Sequence, residues 1–230
     1  MTRIEPSAPV ATPADSVPVW DLPVRVFHWS LAGLLVLSWA SAENGFMRVH
    51  LWSGLSVLTL LLFRLAWGFV GSSTARFSDF ARAPRAALAH LQAVRRGEPQ
   101  AHAGHNPAGG WMVMVLLAVL LLQAITGLFA NDGVRFYGPL AARISSGLSD
   151  RLTSLHGTMF NFILVLVWLH VVAVLYYRFV RGEDLIAAML TGRKPRPEVP
   201  ADARVSFVPH RRACLWLAVA AALVFWIVRS

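Results

Sequence analysis

Histidines 28, 50, 156 and 170 are the residues of this 230-residue chain whose type and spacing could do chemistry. Fourteen residues separate His156 from His170 inside one long apolar stretch. On an α-helix that interval is close to four whole turns and rises about 21 Å, so two imidazoles share one face at two depths of a membrane. His28 and His50 each stand near the start of a different apolar segment and supply one further imidazole for each depth. A neutral imidazole at intramembrane depth needs a polar partner, and metal ligation at one nitrogen with a hydrogen bond at the other satisfies it completely. A lone histidine there would be read as an interhelical hydrogen-bonding residue. Imidazoles matched in depth two by two are read instead as the axial ligands of two haems stacked across a bilayer.

The elements that must position them are apolar helices. The chain is 56% hydrophobic and 14% charged, and its apolar residues fall in blocks rather than at amphipathic spacing, which marks a polytopic membrane protein. Hydropathy predicts spans over Val24–Ala42, Leu51–Val70, Trp111–Ala130 and Leu155–Tyr177, with a shorter fifth over Ala213–Val228. Lys and Arg number 2, 5 and 8 in the N-terminal segment, the 71–110 loop and the 178–212 loop, against 1, 3 and 1 in the opposite loops and the C-terminal end. The positive-inside rule then puts the N-terminus in the cytoplasm and the chain in the cell inner membrane as a multi-pass protein. The formal charge of +9 is thus a topology signal and needs no nucleic-acid partner.

With that orientation depth follows from order, pairing His50 with His156 toward the outside and His28 with His170 toward the inside. Residues 1–19, with Pro6, Pro9, Pro13 and Pro18, read as a disordered cytoplasmic tail without the apolar core of a cleaved signal peptide. Residues 20–194 form the transmembrane domain, 195–212 a basic cytoplasmic linker and 213–230 an additional transmembrane helix. Trp20, Asp21 and Pro23 precede the first span, Pro23 fitting its first turn and Trp20 the interfacial belt, and Asn106 with Pro107 forms a cap and first-turn pair for the third. Pro84–Arg96 carries Ala87, Leu88, Leu91 and Val94 on one side, as a helix lying on an anionic leaflet would. The 131–154 loop has room for a short surface helix. Cys214 is the only cysteine, which excludes an intramolecular disulfide, c-type haem attachment and a cysteine-ligated cluster, and leaves it a packing role.

Arg64 lies fourteen residues after His50 on the same face and therefore at the inner level, where a haem propionate would meet its guanidinium. Snorkelling to the headgroups is an equal alternative. Gly33, Gly54 and Gly127 could admit a macrocycle close to the backbone, although small residues also serve ordinary helix packing. Trp29 and Trp52 stand beside candidate ligands and are candidates for contact with porphyrin. His90, His102, His105 and His210 fall in loops and read as solvated.

Val24-Arg-Val-Phe-His-Trp29, His50-Leu-Trp-Ser-Gly54, Arg64-Leu-Ala-Trp-Gly-Phe-Val-Gly71 followed by Ala75-Arg-Phe77, Gly104-His-Asn-Pro-Ala-Gly109 and the His156/His170 pair carry a resemblance. Over residues 19 to 194 the chain resembles the prokaryotic dihaem cytochromes b, which include the cytochrome b subunit of nickel–iron hydrogenases and the bacterial cytochrome b-five-sixty-one proteins. The resemblance implies an all-α membrane protein, a four-helix transmembrane bundle binding two haem b, with His28, His50, His156 and His170 at the ligand positions. Two departures stand out: Gly157 follows His156 where many relatives carry an acidic residue, and a fifth span follows the bundle.

Haem held by two histidines has no open coordination position and passes electrons without binding oxygen. The expected function is transmembrane electron transfer between the quinone pool and an outer-face partner, a periplasmic c-type cytochrome or a hydrogenase-like redox protein, in a respiratory chain. Arg135, Arg143 and Arg151 of the outer loop could steer an acidic partner, with ordinary surface charge as the slightly preferred alternative. Membrane lipid surrounds the chain, quinone is a further ligand, and a homodimer is compatible with this reading. The rival within the redox class is a stand-alone oxidoreductase that reduces quinone with a small reductant or superoxide. The rival from another class is a histidine-lined metal or proton transporter, disfavoured by the lack of intramembrane Asp or Glu.

Overall fold

A computed structural model describes residues 15–229. A short strand β1 (Ser16–Pro18) leads into α1 (Leu22–Glu43) and α2 (Met47–Val70); two short helices, α3 (Phe77–Phe80) and α4 (Pro84–Arg95), connect to α5 (Pro107–Leu128). After a loop, α6 (Ser146–Tyr176) runs on through a π turn, Tyr177–Arg181, to α7 (Leu185–Thr191), β2 (Arg193–Pro195) and α8 (His210–Arg229). Among the described residues, α1, α2, α5, α6 with its π turn, and α8 are long and apolar enough to cross a membrane. The chain is therefore an all-α membrane protein with five candidate spans. α1 and α5 begin ahead of their hydropathy windows, each behind a polar cap. Asp21 accepts from Val24 N at 2.8 Å with Pro23 in the first turn, and Asn106 accepts from Gly109 N at 2.7 Å ahead of Pro107. Gly45, at φ +72°, lets α1 turn directly into α2.

Lipid tails are as apolar as leucine, so close packing and hydrogen bonds hold the helices together rather than burial alone. α2 is the central helix, packing on α1, α5 and α8, with Trp67 and Leu61 almost wholly enclosed. Trp67 Nε1 donates to Asp21 Oδ2 at 2.9 Å, so the residue that caps α1 also anchors the end of α2. α8 presents buried Ala213, Ala220 and Val224, small residues that bring it close to α2. α5 packs on α6, whereas α1 and α6 meet through side chains such as the stacked rings of Trp39 and Phe160, 6.5 Å apart.

Several expectations are corrected at the end of the molecule that carries residues 15–21, 71–106 and 182–209. Residues 16–18 are no part of a disordered tail: they pair antiparallel with 193–195, Val17 opposite Lys194. Val19 and Trp20 are buried, so Trp20 is a packing residue rather than an interfacial one. Residues 1–14 lie outside the described residues. The basic linker is ordered in part by a 3₁₀ turn, Arg196–Glu198, and by buried Val199. α4 leaves Leu88 and Leu91 exposed and turns His90 and Ala93 inward. At the opposite end the 131–145 loop holds only a 3₁₀ turn, Ala141–Arg143, because α6 itself starts at Ser146. Cys214 is exposed instead of packed.

Candidate functional site

His50 on the first turn of α2 and His156 on α6 face each other with ring centres 6.1 Å apart and planes at 90°. His50 Nδ1 donates to the Ser38 carbonyl at 2.9 Å, with Ser38 Oγ at 3.1 Å, and His156 Nδ1 donates to the Gln123 carbonyl at 2.9 Å, with Thr126 Oγ1 at 3.3 Å. A backbone carbonyl only accepts, so both rings are held as the Nδ1–H tautomer and each keeps an Nε2 lone pair. Gly127 makes the second contact possible. A Cβ there would lie 2.8 Å from His156 Cε1.

His28 on α1 and His170 on α6 form the other pair, with centres 6.3 Å apart and planes at 53°. His28 Nδ1 is buried and has no hydrogen-bond partner among the described residues. Two imidazoles on opposite sides of one metal, bonded at about 2 Å with each nitrogen roughly 1.2 Å from its ring centre, have centres roughly 6.3 Å apart. Both pairs meet that spacing, so the residues present fit a metal centre carried by a flat macrocycle. Direct contact between two neutral rings requires no such matched separation at two levels.

Arg64 is 2% exposed on α2, and its Nη1 is buried without a partner. Its guanidinium lies 5.3 Å from the Phe77 ring centre and 6.0 Å from that of Phe80, cation–π contacts that close it off from the surface and rule out snorkelling. Gly68 is what lets Phe77 reach it, since a Cβ there would lie 2.1 Å from the ring. Around this level the reading of the loop histidines as solvated is overturned. His90 is 4% exposed, with Nε2 2.8 Å from the Tyr177 hydroxyl, which also accepts from Asn106 Nδ2 at 3.0 Å. His105 sits between the rings of Trp20 and Phe80, each 4.6 Å from its centre. Its basicity falls to about 3 through burial and then through the charge of Arg64, Lys194 and the two nearby histidines. Burial, His90 and Lys194 lower His102 to about 4. Lys194, 3% exposed, donates to the His102 carbonyl at 3.1 Å, and its basicity too is lowered by burial. His210 alone among the four is exposed.

Trp29 packs edge-on against His28 at 4.9 Å while donating to the Met189 carbonyl at 3.4 Å. Trp52 is 66% exposed and lines an open groove with Leu34, Leu37 and Val49, turned away from His50. A step of two residues turns a helix through about 200°, so the sequence already held that signal. Gly54 and Gly33 have open space where a side chain would begin, and Gly157 likewise. Lys194, His105, Phe77 and Phe80 were missed as site residues.

An all-α membrane protein with paired histidines at two levels has the architecture of a membrane cytochrome. A family model described as prokaryotic cytochrome b561 matches residues 19–192, and the chain belongs to that family. Membership implies binding of b-type haem and electron transfer across the membrane. No curated protein and no solved structure matches the chain.

Proposed function

We propose that the chain is a dihaem electron conduit: α1, α2, α5 and α6 form a four-helix bundle that holds one b-type haem between His28 and His170 and a second between His50 and His156. The observation that carries this reading is the pair of ring separations, 6.3 and 6.1 Å, repeated at two levels. Ligated on both axial sides, b-type haem supplies one-electron transfer with no open position for oxygen. The chain's residues do the rest. The carbonyls of Ser38 and Gln123 fix the tautomer and direction of the outer imidazoles. Arg64 offers a buried positive charge to a propionate, and Gly54 and Trp29 line the approaches. Trp52 has no part in this reading, because it faces outward.

The concentration of Lys and Arg on the loops at the end bearing residues 71–106 and 182–209 supports a cytoplasmic N-terminus in the cell inner membrane. The conduit then joins the quinone pool to an outer-face partner, a periplasmic c-type cytochrome or hydrogenase-like protein. Arg135, Arg143 and Arg151 are all exposed at the outer end, where ordinary surface charge is the slightly preferred reading and steering of an acidic partner the alternative. The test is a reduced-minus-oxidised spectrum of the purified protein with pyridine haemochrome quantification. Two b-type haems per chain are expected, His50→Ala and His156→Ala each removing one and the same haem, His28→Ala and His170→Ala the other. Loss of one common haem from all four variants overturns the pairing.

A further inference from the structure

Among the described residues, the buried cations near the inner histidine pair have no carboxylate at ion-pair distance. Among the described residues the ion pairs are Arg96–Glu98 and Arg178–Asp184, and no carboxylate lies within ion-pair distance of Arg64 or Lys194. Asp21, the acid that Arg64 feels, is engaged by Val24 N and Trp67 Nε1. Lys194 feels Glu183 and Glu198 only at longer range. A buried ammonium or guanidinium without a counter-charge is strongly destabilising, so two of them 2% and 3% exposed in one region call for an anion. The fold spends structure on placing the second. β2 alternates exposed, buried, exposed, and its pairing with β1 turns Lys194 inward between exposed Arg193 and Pro195. His105 adjoins the two cations: the Phe80 ring contacts both it, at 4.6 Å, and the Arg64 guanidinium, at 6.0 Å, Lys194 binds the loop just before it, and its Nδ1 is buried without a partner among the described residues.

We infer that Arg64, His105 and Lys194 form a pocket for a pair of carboxylates on the inward side of the His28/His170 pair, with Lys194 delivered by the β1–β2 ladder. This inference rests on the dihaem reading, and the carboxylates it fits are the two propionates of the inner haem. Arg64 supplies a planar fork, Lys194 a point charge and His105 a ring N–H. A free anion from solution would satisfy the same chemistry, and the experiment separates the two sources.

The experiment is redox potentiometry of the purified, haem-loaded full chain, resolving both haems. Lys194→Met leaves a propionate uncompensated, which favours the oxidised state. The oxidised-to-reduced ratio of the inner haem, the one that His28→Ala removes, rises about tenfold at fixed potential, about 59 mV for one electron, while the outer haem is unmoved. Arg64→Gln acts in the same direction and Lys194→Arg restores the native value. Reconstitution of the unmutated chain with haem dimethyl ester needs no folded variant: the inner potential rises by more than the outer. Equal movement of both haems, or none, overturns the pocket. A shift that survives esterification and follows added inorganic phosphate assigns the site to a solution anion and overturns the propionate assignment. Unmutated chain without haem defeats the dihaem reading itself, a different result.

Discussion

Replacing Gly127 with alanine sets two effects of opposite sign against each other. Gly127 lies in the last turn of α5, where the advantage of alanine over glycine is at most about 0.8–1 kcal/mol of helix propensity and offsets part of the crowding in the apo-protein. The new Cβ would lie 2.8 Å from His156 Cε1 and 3.2 Å from Nδ1, where ordinary contact begins near 3.4 Å. The ring must retreat by about half an ångström, yet its Nδ1 is held to the Gln123 carbonyl at 2.9 Å. Weakening that bond costs roughly 0.5–1.5 kcal/mol, and crowding a packed site costs roughly 1–3 kcal/mol. Helix propensity is the same with and without haem, so the penalty on ligation is that of displacing the ring, on the order of 1–3 kcal/mol, about 5-fold to 150-fold in affinity for the outer haem. Haem per chain and a redox titration read it: the outer haem is depleted or shifted and the inner one is untouched. Full occupancy of both sites with unchanged potentials would refute the claim that Gly127 makes room for His156.

The Tyr177 hydroxyl holds His90 and Asn106 together, so Tyr177→Phe should destabilise the protein by about 1–3 kcal/mol, seen as a lower thermal midpoint with both haems retained. An unchanged midpoint would show that this contact carries no weight. His102 is held neutral by burial, its pKa lowered from 6.5 to about 4, so the folded state binds fewer protons than the unfolded chain between those values. Its contribution is complete above about pH 6.5 and is lost as pH falls toward 4, so thermal stability measured across that window should decline in the native protein and decline less in His102→Gln. Equal slopes would remove His102 from the account.

The spans, the cap at Asn106 and the depth-matched histidines were legible in the sequence because each is a local or single-helix property: hydropathy, cap chemistry and a fourteen-residue interval that returns to the same face. Arg64 was legible by the same interval from His50. Lys194 was not. Its inward aim depends on two three-residue strands separated by most of the chain, too short to show alternation and flanked by prolines that read as a linker. The loop histidines misled for a related reason: a loop residue is solvated by default, and only the docking of α4 and the π turn around Tyr177 buries His90. The side-by-side packing of α8 and α2 likewise has no signature beyond small residues, which ordinary helix contacts share.

On the proposed dihaem reading, the two levels differ in a way that would give the conduit a direction. At the outer level both imidazoles donate Nδ1–H to backbone carbonyls, which raises their basicity and stabilises the oxidised, more positive metal. At the inner level His28 Nδ1 has no such acceptor among the described residues, and the nearby formal charges include the buried cations Arg64 and Lys194, which resist loss of an electron. Both differences push the same way, making the inner haem the better electron acceptor. On that reading, electrons delivered at the outer face would run downhill toward the end bearing the basic loops, and a quinone reduced at that end would take up its protons from the same side. Potentiometry on the single-haem variants decides it: the haem remaining in His50→Ala should titrate at a higher potential than the one remaining in His28→Ala. The reverse order would show that the carbonyl contacts and buried cations do not set the slope, and that the conduit is arranged to deliver electrons outward.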